Sequence, residues 1–200
     1  ISQFFMANTH DSLLFFTNSG KVFQTKGYEV PESSRQSKGK AIVNFLQVSP
    51  NELITAVVPI PKDQKGMYLF MATANGVIKK VDADSFSQVR SNGMIAIKLK
   101  GNDELGWVLS TSGNDQVMLV TSGGNAIRFK EKDVRPMGRG ASGVIGVRMS
   151  APKGRDLAKG GDKDEKVVGA DVVPSGVEKG LKILVVMGNG YGKRTDLKFY

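Results

Sequence analysis

Lysine and arginine side chains are concentrated in three stretches of the chain, 21–40, 79–100 and 128–148. These stretches carry 16 of the 28 basic residues and 6 of the 19 acidic ones, so they account for the net charge of +9. Ammonium and guanidinium groups gathered in this way bind the phosphates of a polyanion. The candidate phosphate-binding residues, with two more near the end of the chain, are Lys21, Lys26, Arg35, Lys38, Lys40, Lys79, Lys80, Arg90, Lys98, Arg128, Lys130, Lys132, Arg135, Arg139, Arg148, Lys193 and Arg194.

The alternative interpretation of these cations is a solvated face kept basic for solubility. A mixture of both signs would serve that purpose, and the signs would not then segregate so sharply. Aromatic residues are not interleaved with the cations as they are in proteins that stack single-stranded bases. Phe70 and Trp107 instead fall in predicted strands, where we expect core positions. Because no recognition helix is predicted either, the pattern favours sequence-tolerant contacts to the backbone of double-stranded DNA.

Other site chemistries find little support in the residue types. The chain has no cysteine and a single histidine, His10, which excludes disulfides, thiolate metal sites and nearly all histidine-based catalytic sets. The run 188–193 lacks the Ser/Thr and the following helix of a phosphate-binding loop, so it predicts a hairpin turn. We therefore predict no catalytic residue, metal, cofactor or small-molecule substrate in this chain. No apolar run approaches the ~20 residues that cross a bilayer, so no membrane association is expected.

The elements that must position these cations follow from an internal repeat. Apolar runs joined by a glycine-containing turn predict β-hairpins, because glycine supplies the positive φ that such turns need. Four such segments align at their turn glycines, which are Gly20, Gly76, Gly124 and Gly190. Two further apolar segments follow the first three hairpins, at 37–46, 91–99 and 141–149 and then at 52–60, 104–110 and 166–174.

The repeat predicts an all-β fold of propeller-like, four-stranded blades. The predicted blades are 12–60, 67–111 and 116–174, and a fourth begins at 181–200, so about three and a half blades form one domain. Residues 151–165 lack apolar periodicity, and we expect them to form a mobile loop. A β-sandwich with coincidental turns is the alternative. Because the cations recur in the same part of each repeat, we expect them to form a stripe on one edge of the assembly.

Several tracts resemble the C-terminal domain of the DNA gyrase A subunit. They are MANTHDSLLFFTNSGKVF, YEVPESSRQSKGKAIVNFL, MATANGVIKK, VRPMGRGASGVIGVRM and NGYGKRT. The resemblance runs from about Met6 to Tyr200. The corresponding domain of topoisomerase IV is a second candidate.

The resemblance implies a β-pinwheel, a six-bladed ring whose blades exchange strands with their neighbours. It implies DNA wrapping around a basic outer rim in support of ATP-dependent negative supercoiling. The catalytic tyrosine of the resembled protein lies in an upstream domain, and ATP and Mg²⁺ act elsewhere in the holoenzyme. The expected partners are double-stranded DNA and the remainder of the gyrase heterotetramer, which comprises the rest of the gyrase A polypeptide and the gyrase B polypeptide. The expected location is the bacterial cytoplasm, in association with the nucleoid.

The family's hallmark heptapeptide, Gln-Arg-Arg-Gly-Gly-Lys-Gly, is absent from the chain. Its nearest echoes are the runs 35–40 and 137–140. The resemblance therefore implies contact with DNA on the outer rim, but not the function of the heptapeptide, for Arg35, Lys38, Lys40, Arg90, Arg135 and Arg139. The chain does not begin with Met, and we expect it to be part of a longer protein. The alternative from another functional class is a propeller-type scaffold that binds an acidic protein.

Overall fold

Antiparallel β-strands build the described residues, which in this computed structural model are 5–62, 65–90, 92–149, 165–177 and 180–200. The strands are β1 (Ser12–Thr17), β2 (Lys21–Lys26), β3 (Ile54–Ile60), β4 (Tyr68–Thr73), β5 (Val77–Asp82), β6 (Met94–Ile95), β7 (Leu105–Thr111), β8 (Gln116–Thr121), β9 (Ala126–Lys130), β10 (Val144–Ile145), β11 (Val167–Val173), β12 (Lys182–Val186) and β13 (Gly192–Asp196). These ranges contain short 3-10 helices but no α-helix. The all-β prediction is confirmed.

The four predicted hairpins are confirmed as β1–β2, β4–β5, β8–β9 and β12–β13. Each turn glycine adopts a positive φ, from +79° at Gly20 to +86° at Gly190. In the first three hairpins the glycine N–H donates to the carbonyl of the threonine three residues earlier, at 2.9–3.1 Å. The turn is therefore the same structure in each repeat, and only glycine adopts its last position without strain.

The sheets are completed by strands from the following repeat. The first sheet has the order β3-β1-β2-β6 and the second β10-β5-β4-β7, so β6 and β10 each pair with the hairpin of the repeat before their own. The described part of the third sheet has the order β11-β8-β9. The repeat alone predicts that the four strands of a blade are contiguous in the chain, and this prediction is wrong for the fourth strand of the first two sheets. The topology instead shows the strand exchange that the resemblance implies.

A hydrogen-bonded connection joins each of the first two hairpin turns to the next repeat. The carbonyl of Gly20 accepts from the N–H groups of Ala96 and Ile97, at 2.9 and 3.2 Å. The carbonyl of Gly76 accepts from Gly146 and Val147 at the same two distances. We call this pair of bonds the turn junction. It places the residues that follow β6 and β10 directly against the preceding turn.

The strand predicted within 37–46 is wrong. This segment contains a 3-10 helix, Ile42–Asn44, and no strand. Its counterparts β6 and β10 are strands because the hairpin of the repeat before their own offers them an edge. In the described residues no hairpin precedes β1–β2 to offer 37–46 the same edge. The segment instead packs Ile42, Phe45 and Leu46 beside the first sheet.

The hydrophobic core lies between successive sheets. Alternate residues of β4 face opposite ways, so Leu69 and Met71 pack toward the first sheet while Phe70 and Ala72 pack toward the third. Strand β7 lies against both β3 and β11. Strands β6 and β10 lie at the other edges of their sheets, which we call the outer edges. The second sheet is covered on both faces.

The predicted mobile loop at 151–165 lies outside the described residues, apart from Glu165. The Glu165 carboxylate accepts hydrogen bonds from the Thr121 hydroxyl and, at 3.0 Å, from Asn125 Nδ2. Glu165, which precedes β11, is therefore held against the third hairpin turn.

The turn glycines offer a test of the turn junction. A Cβ at Gly76 would lie 2.6 Å from the Val147 carbonyl oxygen, whereas a Cβ at Gly124 has no atom within 4 Å. The φ values of the two glycines, +81° and +83°, are nearly equal, so an alanine at either position has the same strain from a positive φ. We expect Gly124→Ala to lower the free energy of unfolding by about 1–2 kcal/mol. Gly76→Ala should cost about 1–3 kcal/mol more, because it also overpacks the junction.

Urea unfolding of the two variants, followed by circular dichroism, measures this difference. Equal losses of stability for Gly76→Ala and Gly124→Ala would show that the contact with Val147 carries no energy.

Candidate nucleic-acid interface

The segments that carry the cations leave the second strand of each hairpin and run beyond the outer edges of the sheets. They are 27–44 after β2, 83–93 after β5 and 131–143 after β9, and the last two lead into the exchanged strands β6 and β10. We call these three segments, together with β6, β10 and the exposed cations beside them, the outer rim. Strand exchange places each of the last two segments beside the sheet of the repeat before it.

Most of the predicted cations are exposed. The runs 35–40 and 137–140, which echo the hallmark heptapeptide, lie in outer-rim segments, and the turn glycine Gly39 has no neighbour within 4 Å of an added Cβ. Neither of the two ion pairs between described residues involves these exposed cations. The twelve exposed residues are Arg35, Lys38, Lys40, Arg90, Lys98, Lys130, Lys132, Arg135, Arg139, Arg148, Lys193 and Arg194.

Lys21, Lys26 and Arg128, in β2 and β9, are half-buried. Lys21 Nζ lies 2.8 Å from Glu52 Oε1, and Lys26 Nζ donates to Ser12 Oγ at 2.7 Å. Burial acts to raise the pKa of Glu52, but the hydrogen bonds from Lys21 and Ser19 outweigh it and hold that pKa below its ordinary value. Lys21 and Lys26 therefore already have partners within the first sheet.

The prediction that Lys79 contacts phosphate is wrong, because its side chain is fully buried. It pairs with Met71 across the second sheet and shares the face that packs toward the first. Its ammonium group donates to the backbone carbonyls of Ala96 at 2.7 Å, Ala141 at 3.1 Å and Arg139. Burial lowers the pKa of Lys79 to about 8. In this fold Lys79 cannot reach a phosphate.

Lys80 is buried on the opposite face, and its prediction is wrong for the same reason. Its Nζ lies 3.3 Å from Glu131 Oε2 and 4.5 Å from the centre of the Tyr68 ring. The Glu131 carboxylate also accepts from the Thr111 hydroxyl at 2.7 Å and from the Asp115 N–H at 2.8 Å. The charge of Lys80 is therefore matched inside the protein.

The repeat carries a signal for the burial of Lys79 but not for that of Lys80. When the hairpins are aligned at their turns, Phe23 and Ile127 occupy the position of Lys79. Apolar residues at two equivalent positions favour a buried site, although Lys193 in the fourth hairpin is exposed at the position of Lys79. The equivalents of Lys80 are polar, so its burial has no such signal. Sequence reasoning also missed Glu131, which appeared as a charge within a basic stretch and is fully buried.

No group of three or more His, Cys, Asp or Glu side chains in the described ranges is placed to hold a metal ion. No helix in the same ranges is long and apolar enough to span a bilayer.

The chain matches the family described as the DNA gyrase C-terminal domain, beta-propeller. The match covers residues 11–61, 68–112 and 115–174, which is well over half of the chain. The chain belongs to this family. The predicted resemblance and the pinwheel fold class are thereby confirmed.

Relatives of this gyrase-type domain include the DNA gyrase A subunits of Salmonella typhimurium, 44% identical over 200 residues, and of Klebsiella oxytoca, 43% identical over 200 residues. The DNA gyrase A subunit of Staphylococcus epidermidis is 42% identical over 201 residues. Each comparison covers 100% of this chain and 21% of the relative. The chain therefore spans about a fifth of the length of these relatives.

Two solved structures share the fold. The C-terminal domain of DNA topoisomerase IV superposes with a TM-score of 0.76 at 27% identity, over 96% of this chain and 55% of that one. The DNA gyrase A C-terminal domain gives a TM-score of 0.70 at 25% identity, over 97% of this chain and 61% of that one.

The buried ion pair between Lys80 and Glu131 predicts an effect on the free energy of unfolding. Lys80→Met leaves Glu131 buried without its cation, so we expect the free energy of unfolding to fall by about 3 kcal/mol. The matched control is Lys132→Met, which removes an exposed cation from the same segment and should change stability by at most about 0.5 kcal/mol. Thermal unfolding of both variants makes the comparison, and a Lys80→Met variant as stable as the control would contradict a structural role for the pair.

Proposed function

We propose that this chain is a non-catalytic domain that binds and bends double-stranded DNA along its outer rim. The observation that carries the proposal is the recurrence of exposed cations on the same part of successive repeats, without carboxylate partners among the ion pairs of the described residues. Regularly spaced cations neutralise the phosphates of a duplex and release its counterions. The proposed contacts are the twelve exposed residues of the outer rim and the last hairpin.

The proposed mode is sequence-tolerant. The rim offers loops and two-residue edge strands, and such elements contact phosphates without entering the major groove. Any preference among sequences would then come from the energy needed to bend each duplex. Membership of the gyrase C-terminal domain family supports this choice of partner.

The role in a larger protein belongs to the same proposal. The relatives are named as DNA gyrase A subunits, so this domain would serve a type IIA topoisomerase that supercoils DNA negatively. The remainder of the gyrase A polypeptide and the gyrase B polypeptide would supply the catalytic tyrosine and the use of ATP and Mg²⁺, in the bacterial cytoplasm. No residue of this chain is assigned a catalytic or cofactor role.

A role in topoisomerase IV is the second candidate. It is favoured by the TM-score of 0.76 to the topoisomerase IV domain, against 0.70 for the gyrase domain. The sequence identities above 40% to gyrase A subunits favour the first candidate. Both candidates require the same DNA-binding rim.

The test of the proposal is charge reversal in the first outer-rim segment. The variant Arg35→Glu/Lys38→Glu/Lys40→Glu changes three exposed side chains that lie outside the strands. We expect weaker binding to linear duplex DNA and a slope of log affinity against log salt that is shallower by about 3, since each lost phosphate contact contributes about 0.9. Fluorescence anisotropy across a salt series measures both quantities.

The matched control is Lys62→Glu/Lys65→Glu/Lys166→Glu. It changes the net charge by the same amount at exposed positions outside the outer rim. The control should keep the salt slope of the unchanged chain. Equal slopes for the two triple variants would mean that net charge alone attracts DNA, and binding of an acidic protein but not of DNA would favour the scaffold alternative.

A further inference from the structure

The buried pair Lys79–Lys80 contacts both ends of the third outer-rim segment, 131–143. Lys79 donates to the carbonyls of Arg139 and Ala141 at the end of this segment. Lys80 pairs with Glu131 at its beginning, and the Lys80 carbonyl accepts from the Met137 N–H at 2.8 Å. The segment between these attachments carries three of the exposed cations, Lys132, Arg135 and Arg139.

Lys79 also connects two consecutive outer edges. Its third acceptor is the carbonyl of Ala96, which belongs to the turn junction of the first sheet. The Lys98 N–H donates to the Ala141 carbonyl at 3.2 Å, so this oxygen is shared by two donors from the second repeat. One ammonium group therefore holds the residues that follow β6 and the third outer-rim segment together.

The first sheet has a corresponding contact made by different chemistry. Gln24, which aligns with Lys80, accepts at its Oε1 from the Val89 N–H at 3.1 Å. Phe23, which aligns with Lys79, packs so closely under Gly93 that an added Cβ would lie 2.8 Å from its ring. Two adjacent residues of the second hairpin strand thus hold the next repeat's outer-rim segment in both complete sheets.

We propose that Lys79 is a positioning residue for the nucleic-acid interface, which acts by fixing the backbone of residues 138–141 and thereby the place of Arg139. The inference rests on the proposed function for its link to DNA, but the contact itself does not. Lys79 touches no ligand. A cation that is buried among carbonyls gives the segment a fixed anchor, whereas the exposed face of the segment stays available to phosphates.

The first measurement needs no DNA. Lys79→Met keeps the length and burial of the side chain and removes the donor. Hydrogen exchange of the full 200-residue chain should show the Lys98 and Ala141 amides exchanging about tenfold faster in this variant. Amides in the middle of β4 should exchange as in the unchanged chain. Lys79→Arg, which keeps the charge and the donors, should restore slow exchange.

The second measurement is a double-mutant cycle with Arg139→Gln, read as the dissociation constant for linear duplex DNA at fixed salt. We expect Lys79→Met to weaken binding roughly fivefold when Arg139 is present and less than roughly twofold when it is replaced, because residues in one network are not additive. Lys62→Met removes an exposed charge elsewhere and should weaken binding equally in both backgrounds. If Lys79→Met gives no cooperative thermal transition, Lys79→Gln replaces it in both measurements.

The outcomes separate this proposal from the proposed function. Unchanged exchange at Lys98 and Ala141 overturns it, whether or not the chain binds DNA. Faster exchange with an equal loss of affinity in the two Arg139 backgrounds also overturns it, since Lys79 would then not act through Arg139. If the unchanged chain does not bind duplex DNA at any salt concentration, the proposed function fails, and the exchange result alone decides whether Lys79 holds the segment.

Discussion

The turn junction is the interaction on which the rest of the structure depends. In each of the first two hairpin turns a single glycine carbonyl, at Gly20 and at Gly76, accepts two N–H groups from the next repeat. A side chain at either glycine would collide with the residues after β6 or β10 that donate these bonds. The junction lets a strand of one repeat complete the sheet of another, so the outer-rim segments that lead into β6 and β10 are each fixed by two sheets rather than by one.

The distribution of charge follows from this arrangement. Because the second sheet is covered on both faces, lysines at adjacent positions of β5 are buried on opposite sides, one among carbonyls and one against Glu131. The cations in the segments beyond the outer edge have no such covering and stay exposed. Coverage by neighbouring sheets, and not the local density of lysine and arginine, decides which cations are buried and which stay exposed: Lys193 and Arg194 hold the positions of Lys79 and Lys80 in the last hairpin and are exposed.

Much of the fold could be predicted from the sequence, because the hairpin turns require glycine and the strands alternate with a period of two. Gly20, Gly76, Gly124 and Gly190 are enough to predict four hairpins. The partners of β6 and β10 could not be predicted from periodicity, since a short apolar segment does not specify which edge it joins. The failure at 37–46 has the same origin: its residues match those of an exchanged strand, but strand formation needs an edge from the preceding repeat. The candidate interface was predictable in outline and not in detail, because the burial of Lys79, Lys80 and Glu131 depends on neighbouring sheets that a linear charge count does not include.

The proposed function requires that a duplex follow the outer rim and be bent by it. A direct measurement uses a linear duplex of about 30 base pairs, about 100 Å long and well below the persistence length of about 150 base pairs, with a fluorophore on each end. Energy transfer between the ends should rise as the chain saturates the duplex and should return to its starting value when salt releases the protein. Saturated, salt-sensitive binding with unchanged energy transfer would contradict the account, because the cations would then bind DNA without imposing a curve on it.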